Sequence, residues 1–318
     1  MSTFSIAVHG GAGTILRDQM TPEREQAHRR SLGAALDAGF EVLQQGGSAV
    51  NAAKASVICL ENDPLFNAGR GSVFTNKGEH EMDAAIMDGK TQKAGAVAAV
   101  RNVRNPIELA WKVMESSEHV FLSGEGASEF AKLQDVPFEP DDYFFSQFRY
   151  DQWKAISHSG DYALDHSAPG GAGGDAATGD RKFGTVGAVA CDSHGNLAAA
   201  TSTGGMTNKL YGRIGDTPLI GCGTYAKNDT CAISCTGHGE LFIRAVAAYD
   251  VSCLMEYRGC SLDEAMSIVV NKKLVALGGE GGMIGVDAAG HVAMQFNSQG
   301  MYRGSRSNHG SAIIDIYR

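Results

Sequence analysis

A threonine that could become an N-terminal nucleophile stands in Phe183-Gly184-Thr185, where a glycine-rich tract meets an apolar strand with no connecting turn. In mid-chain its hydroxyl is a weak nucleophile. If the peptide bond before it were cut, the freed α-amine, with a pKa near ~8, would lie within reach of that hydroxyl as its general base. Nucleophile and base would then belong to one residue. Gly184 carries no side chain to obstruct attack by the Thr185 hydroxyl on the Gly184 carbonyl. The plainer account is a loop entering a strand, and the junction alone favours it. Metal chemistry has less support. Cys231 and Cys235 lie four apart in the strand-like Cys-Ala-Ile-Ser-Cys, a separation of roughly 13 Å at ordinary strand rise that one zinc ion cannot bridge. The histidines show no ligand spacing.

The elements that must hold Thr185 are read from periodicity and punctuation. Thr185 to Cys191 and Asn196 to Thr203 are apolar runs joined by the polar turn Asp192-Ser-His-Gly195, a β-hairpin. The Gly-, Ala-, Asp- and Ser-rich tract from Ser159 to Phe183 reads as a flexible surface linker. Near the amino end, Phe4 to Val8 is a buried strand running into His9-Gly10-Gly11-Ala12-Gly13, a turn whose backbone must pass something closely. Helices are expected from Thr21-Pro22 to Gly46-Gly47, from Ser48 to Glu61, from Asn105-Pro106 through Met114, and around Gly126 to Leu133 and Asp142 to Ile156. His238 to Tyr257 reads as another, followed by one opened by the capping box Ser261-Leu-Asp-Glu264 and closed by Gly278-Gly279. Gly282 to Val286 and His291 to Phe296 form a second hairpin. Strand-rich ends with helices in blocks between them predict an α/β chain of two sheets packed face to face, with helices outside.

Composition sets the class. Hydrophobic residues at 43% and charged residues at 20% are those of a globular protein with a substantial core. The length of 318 residues allows two domains or one large sandwich. With 36 acidic and 27 basic residues the formal charge is −9, which argues against nucleic acid as a partner. No apolar segment has membrane length, and the opening Met-Ser-Thr-Phe-Ser-Ile-Ala-Val-His carries no cationic leader, so a cytoplasmic location is expected. Seven cysteines fit reduced core thiols better than a disulfide framework.

Seven short motifs gain joint specificity from their order: His9-Gly-Gly-Ala-Gly13, Pro64-Leu-Phe-Asn-Ala-Gly69, Met82-Asp-Ala-Ala-Ile-Met-Asp-Gly89, Gly184-Thr-Val-Gly187, Thr201-Ser-Thr-Gly-Gly-Met-Thr-Asn-Lys209, Gly212-Arg-Ile-Gly-Asp216 and Thr236-Gly-His-Gly239. Almost end to end, the chain resembles the plant-type L-asparaginases, also called isoaspartyl or β-aspartyl peptidases, within the N-terminal nucleophile hydrolases. The resemblance implies a four-layer αββα sandwich. It also implies autocleavage into an α subunit, 1–184 with its linker, and a β subunit, 185–318, which together make one structural domain and pair as a dimer of αβ units. The implied reaction is hydrolysis of the β-amide or isopeptide bond of asparagine and β-aspartyl dipeptides through an acyl-enzyme, without an organic cofactor.

Position by position, the resemblance makes Thr185 the nucleophile and Thr203 its helper in self-cleavage. Arg213 becomes a clamp for the substrate α-carboxylate, which suits a planar guanidinium able to form two parallel charge-assisted bonds. Asp216 takes the α-ammonium, and Gly239 belongs to the same substrate-binding group. Without the flanking glycines, Arg213 and Asp216 would read as a surface salt bridge. Thr236 and the Gly237 amide match the oxyanion hole, where preset donors contribute about 3 kcal/mol each; the plainer account is a strand-end turn. Asn67 falls near the nucleophile. Main-chain carbonyls of Leu60, Glu61, Asp63, Phe66, Ala68 and Arg70 match a loop that holds a structural sodium ion, and oxygen-only ligation suits a hard cation. His238 is expected as a wall residue, because the α-amine already supplies the base.

Other readings are weaker. An α/β-hydrolase needs a Gly-x-Ser-x-Gly elbow, and the chain has none. Gly221-Cys-Gly-Thr-Tyr-Ala226 matches a relaxed dinucleotide fingerprint but continues into a turn instead of a helix. Glycosylasparaginases share Gly-Arg-x-Gly-Asp yet usually carry Asp before the cleavage-point threonine, where this chain has Gly184. Threonine aspartases carry long insertions. A noncatalytic binding protein that kept the fold would have no reason to retain Thr185, Thr203, Arg213, Asp216 and Thr236 together.

Overall fold

The computed structural model describes residues 3–157 and 184–318, so the expected linker at 159–183 lies outside the described residues. Strand β1 (Ser5–Gly13) is buried along its whole length, as a strand covered on both faces must be. Helix α1 (Pro22–Gln44) begins where Thr21 accepts from the Arg24 amide, and α2 (Ala49–Glu61) where Ser48 accepts from the Asn51 amide; each cap satisfies a first-turn donor. Next come β2 (Met82–Asp88), β3 (Ala94–Val100), α3 (Pro106–Ser116), β4 (Phe121–Ser123), α4 (Gly124–Leu133), α5 (Asp141–Phe144) and α6 (Gln147–Ile156). From Thr185 onward the order is β5 (Thr185–Cys191), β6 (Leu197–Thr203), β7 (Thr224–Ala226), β8 (Cys231–Gly237), α7 (Gly239–Ala245), α8 (Ala247–Arg258), α9 (Leu262–Ile268), β9 (Gly281–Asp287), β10 (Val292–Phe296), β11 (Gly300–Ser307) and β12 (Ile313–Tyr317).

Two sheets face each other. The larger has eight strands in the order β12-β11-β1-β5-β6-β2-β3-β4, and the smaller has four in the order β10-β9-β8-β7. Side chains alternate across each strand, and this alternation divides the core in two. Ile6, Val8, Val186, Ala188, Ala198 and Ala200 pack with α1, α2 and α3 residues such as Leu36, Val57 and Ile107. Their neighbours Ala7, Val189, Cys191, Leu197 and Ala199 pack with Ile233, Cys235 and Ile284 of the second sheet, and with Val251 and Met266 on the helices beyond it. The layers therefore run helix, sheet, sheet, helix, the αββα sandwich that the motifs implied. Both expected hairpins are present, β5–β6 and β9–β10.

Two expected helices are interrupted. The run from Asp142 to Ile156 splits into α5 and α6 because Phe145 is extended (φ −66°, ψ 130°), which turns its ring onto Phe74 and Tyr150. The run from His238 to Tyr257 breaks at Val246, held left-handed at φ 48°, where a β-branched residue is strained. The amides of Ala248 and Tyr249 donate to the carbonyls of Cys222 and Gly221, so tertiary bonds redirect the chain where α8 starts. The capping box at Ser261 and Glu264 forms, but α9 widens into a π-helical turn over Val269–Leu274 before Gly278. Cys231 and Cys235 lie on β8, buried and unbridged. Among the described residues no helix is long and apolar enough to cross a membrane, and no group of His, Cys, Asp and Glu could hold a metal ion.

Candidate active site

Thr185 opens β5 at the centre of the larger sheet, and strand register surrounds it. It lies opposite Thr203 on β6, which lies opposite Asp83 on β2. Directly opposed residues point to one face, so all three look toward the second sheet. Thr185 Oγ1 donates to Thr203 Oγ1 at 3.3 Å, and Thr203 Oγ1 donates to the Gly184 carbonyl at 3.1 Å. Gly184 sits at φ +120°, a conformation closed to L side chains, and a Cβ there would fall 2.9 Å from Gly11 Cα. His9–Gly13 is not the expected turn: it continues β1, with a bulge between His9 and Gly11, and what it passes closely is Gly184, beside the Gly184–Thr185 bond.

The second sheet closes the other side. Thr236, the next-to-last residue of β8, is fully buried, and its Oγ1 stands 3.4 Å from where a Gly184 Cβ would be. That hydroxyl has no hydrogen-bond partner among the described residues, a costly condition for a buried donor unless a ligand or intermediate fills it. A cavity beside it is lined by Gly237, Gly184, Thr185, Thr203, Arg213 and Asp216, while Thr236 itself lies behind this lining. This cavity is ≈ 30 Å³, room for water and not for an amino acid.

Arg213 and Asp216 converge as expected at the far wall. Asp216 is buried, its Oδ2 without a hydrogen-bond partner among the described residues. Burial pushes its carboxyl up to about 7, opposed by its own backbone amide and by Arg213. Gly239 brings the main chain against both: a Cβ there would lie 2.8 Å from an Arg213 nitrogen and 3.0 Å from Asp216 Oδ1. The Arg213 fork is engaged by Glu240, through Nε at 2.8 Å and Nη2 at 2.9 Å. His238 precedes α7, half-exposed, with its imidazole held below the usual range by burial; it does not line the cavity.

The loop after α2 supports the site from behind. Asn67 donates from Nδ2 to the Gly205 carbonyl at 2.7 Å, while its Oδ1 accepts from the Val73 amide at 3.0 Å and its own carbonyl from the Gly204 amide at 3.0 Å. It pins the turn just beyond Thr203 and does not itself line the cavity. Glu61 turns its carboxylate away from the loop, accepting from Ser202 Oγ at 2.6 Å and the Ile107 amide at 3.0 Å. Burial pushes this carboxyl up to about 8, with those hydrogen bonds opposing. Among the loop carbonyls, that of Leu60 accepts from the Asp63 amide at 3.2 Å, that of Asp63 from the Phe66 amide at 3.4 Å and that of Ala68 from the Gly71 amide at 3.1 Å. Those of Glu61 and Phe66 stand 2.4 and 2.0 Å from where Cβ atoms at 69 and 71 would sit, so only glycines let the turns of Leu60, Asp63, Ala68 and Arg70 close.

The asparaginase family model matches residues 2–315. The chain belongs to the asparaginase family. It is similar to an isoaspartyl peptidase of Salmonella typhimurium, at 52% identity across the whole of both chains, and to one of Escherichia coli, at 50% across all of this chain and 97% of the other. A probable isoaspartyl peptidase/L-asparaginase of Arabidopsis thaliana is 41% identical across the whole of both.

In this asparaginase-family chain several residues beside the cavity had no role assigned from sequence. Asp83 is buried in the row with Thr185 and Thr203, accepting from the Ala99 amide at 2.8 Å. Burial raises its carboxyl pKa, and Lys209 and Arg213 oppose the rise. Lys209 is buried as well, donating to the Glu81 carbonyl at 2.9 Å. Both stand in motifs quoted for the family resemblance, which was the available signal. Glu240 lies outside every motif, and no spacing announced it.

Proposed function

We propose that the chain is an autocleaving amidohydrolase, an isoaspartyl peptidase/L-asparaginase acting on the β-amide or isopeptide bond of asparagine and β-aspartyl dipeptides. The observation that carries this reading is the hydrogen-bonded run from Thr185 Oγ1 through Thr203 Oγ1 to the Gly184 carbonyl. Attack by Thr185 Oγ1 on the Gly184 carbonyl carbon forms a C–O bond while the hydroxyl proton passes toward Thr203. The C–N bond then breaks, the Thr185 nitrogen takes up a proton, and water hydrolyses the resulting ester to free the Gly184 carboxylate and the Thr185 hydroxyl. The exposed α-amine next serves as base for the same hydroxyl. Arg213 and Asp216 hold the aspartyl head, Thr236 and the Gly237 amide receive the tetrahedral oxyanion, and ammonia or an amino acid leaves before water releases aspartate.

The names of the relatives support the substrate class. The cut would give subunits 1–184 and 185–318, paired as a dimer of αβ units. The carbonyls of Leu60, Glu61, Asp63, Phe66, Ala68 and Arg70 would hold a sodium ion whose charge fixes the loop bearing Asn67. Seven unbridged cysteines favour a reducing compartment, the cytoplasm. Purified protein should resolve into two fragments, the smaller beginning at Thr185, and should hydrolyse asparagine and a β-aspartyl dipeptide in preference to N-glycosylated asparagine. A persistent single band on prolonged incubation, or exclusive turnover of the glycosylated substrate, would sink the reading.

A further inference from the structure

A cation and an anion placed to grip the two charges of one zwitterion can grip each other instead, and Arg213 and Asp216 stand close enough to do so. A Cβ at position 239 would lie 2.8 Å from Arg213 Nη2 and 3.0 Å from Asp216 Oδ1. Attraction between buried charges is weakly screened, and an ion pair here would use up both groups meant for substrate. Yet Asp216 forms no ion pair among the described residues, and its Oδ2 has no hydrogen-bond partner there. Arg213 pairs with Glu240.

That pairing divides the guanidinium in two. Glu240 Oε1 accepts from Nε at 2.8 Å and Oε2 from Nη2 at 2.9 Å, which uses two of the five N–H donors. Both N–H groups of Nη1 and the second of Nη2 remain, so the edge between Nη1 and Nη2 can take another carboxylate in the same two-point manner. Two glycines keep that edge uncovered. Neither Gly215 nor Gly239 has a left-handed backbone, so conformation does not require them. A Cβ at 215 would fall 3.0 Å from Nη1 and 3.4 Å from Nη2, and one at 239 would crowd Nη2. Arg213, Gly215 and Asp216 all line the cavity beside Thr185, and Glu240 does not. Glu240 is half-exposed at the start of α7, where core packing gives no reason for a carboxylate.

We propose that Glu240 is a positioning residue for the substrate head group: it holds the Nε–Nη2 edge of Arg213, presents the Nη1–Nη2 edge to the substrate α-carboxylate, and keeps the guanidinium off Asp216, whose Oδ2 stays open for the α-ammonium. The inference rests on the reading of Arg213 and Asp216 as the aspartyl clamp. Electrostatics agree with it. Against the effect of burial, the Arg213 hydrogen bonds hold the Glu240 carboxyl below its usual range. Burial raises the Asp216 carboxyl to about 7, its backbone amide and Arg213 oppose the rise, and Glu240 and Asp83 add to it. An Arg213 closed onto Asp216 would hold that carboxyl low instead.

The test uses fully processed enzyme. Glu240→Gln and Glu240→Ala should each raise KM for asparagine by about tenfold or more with kcat changed far less, because an aligned clamp serves bound substrate and transition state alike. In kcat/KM the ionisation that belongs to Asp216 should move to lower pH, since Arg213 is released to pair with it; a general loosening of the fold would not lower it. A KM that stays in place makes Glu240 a bystander, and one that falls makes it a competitor for the fork; either overturns the proposal, as does an ionisation that does not move. Should neither variant mature, the structure of mature wild-type enzyme with L-aspartate decides. The aspartate α-carboxylate on Nη1 and Nη2 with Glu240 still on Nε supports the proposal, and Glu240 displaced from the fork overturns it. Arg213→Lys in the same assay separates this role from the clamp itself: an unchanged KM there fails the clamp, whereas a raised KM there beside an unchanged KM in Glu240→Gln fails only the role of Glu240.

Discussion

Thr203 Oγ1 bridges the two groups that the proposed self-cleavage would join, accepting from Thr185 Oγ1 at 3.3 Å and donating to the Gly184 carbonyl at 3.1 Å. The Gly205 amide donates to the same oxygen at 3.0 Å, which orients the hydroxyl. Thr203→Ala removes the donor to the oxygen on which charge develops, and self-cleavage should slow by about 10²-fold or more. Thr203→Ser keeps the hydroxyl and should mature far faster than Thr203→Ala. Intact-mass time courses of freshly purified protein measure both, and equal rates for alanine and wild type would remove Thr203 from the mechanism.

Glu240 engages Arg213 through Nε and Nη2, so the fork accepts a carboxylate in two-point geometry. Arg213→Lys keeps the charge and loses the fork. KM should rise about tenfold or more while processing stays at the wild-type rate, because the hydrogen bonds of the Arg213 side chain go to Glu240 and not to Gly184 or Thr185, and lost bidentate contacts are worth about 1.5–3 kcal/mol. Steady-state kinetics on fully processed enzyme make the measurement. Unchanged KM would mean that the substrate carboxylate docks elsewhere.

The same pair marks the boundary of what the sequence makes legible. Thr185 and Thr203 could be placed opposite each other because two apolar runs flank one polar turn, and a hairpin of that form pairs its ends. Arg213 and Asp216 could be named because their motif is short and local. Glu240 meets Arg213 across 27 positions, and Ser234 meets His9 across 225; contacts of that kind are created by sheet packing and leave no local pattern. The breaks at Phe145 and Val246 were illegible for the same reason, since aromatic packing in one case and the carbonyls of Gly221 and Cys222 in the other override local helix preference. Asn67 was placed near the nucleophile, but its side chain holds the Gly205 turn and Val73.

Asp216 predicts a pH dependence separable from that of the α-amine. Burial raises its carboxyl to about 7, and only the ionised form attracts the substrate ammonium. In free enzyme, kcat/KM should therefore rise through an ionisation near that value, while the bound ammonium holds the carboxylate ionised and removes this step from kcat. The amine of Thr185 should remain in both profiles. Asp216→Asn should abolish the first ionisation and raise KM; its survival in the variant would assign it to another group.

His9 predicts how the fold responds to acid. Its pKa falls from 6.5 to about 3 on burial, so below pH 6.5 the unfolded chain binds a proton that the folded chain refuses. Stability should fall with pH across the window from 6.5 to about 3, by about 1.4 kcal/mol per unit from this residue alone. The carboxylates add their own slopes, and comparison of two proteins removes them. Thr185→Ala keeps each chain in one piece, and holding protein concentration fixed removes the contribution of subunit dissociation from the comparison. Urea unfolding of Thr185→Ala and of Thr185→Ala with His9→Asn, at matched pH values between 6 and 4, gives the difference. The doubly substituted protein should show a slope shallower by most of this amount, whatever its absolute stability. Parallel slopes would mean that the folded protein accommodates a charged imidazole at position 9.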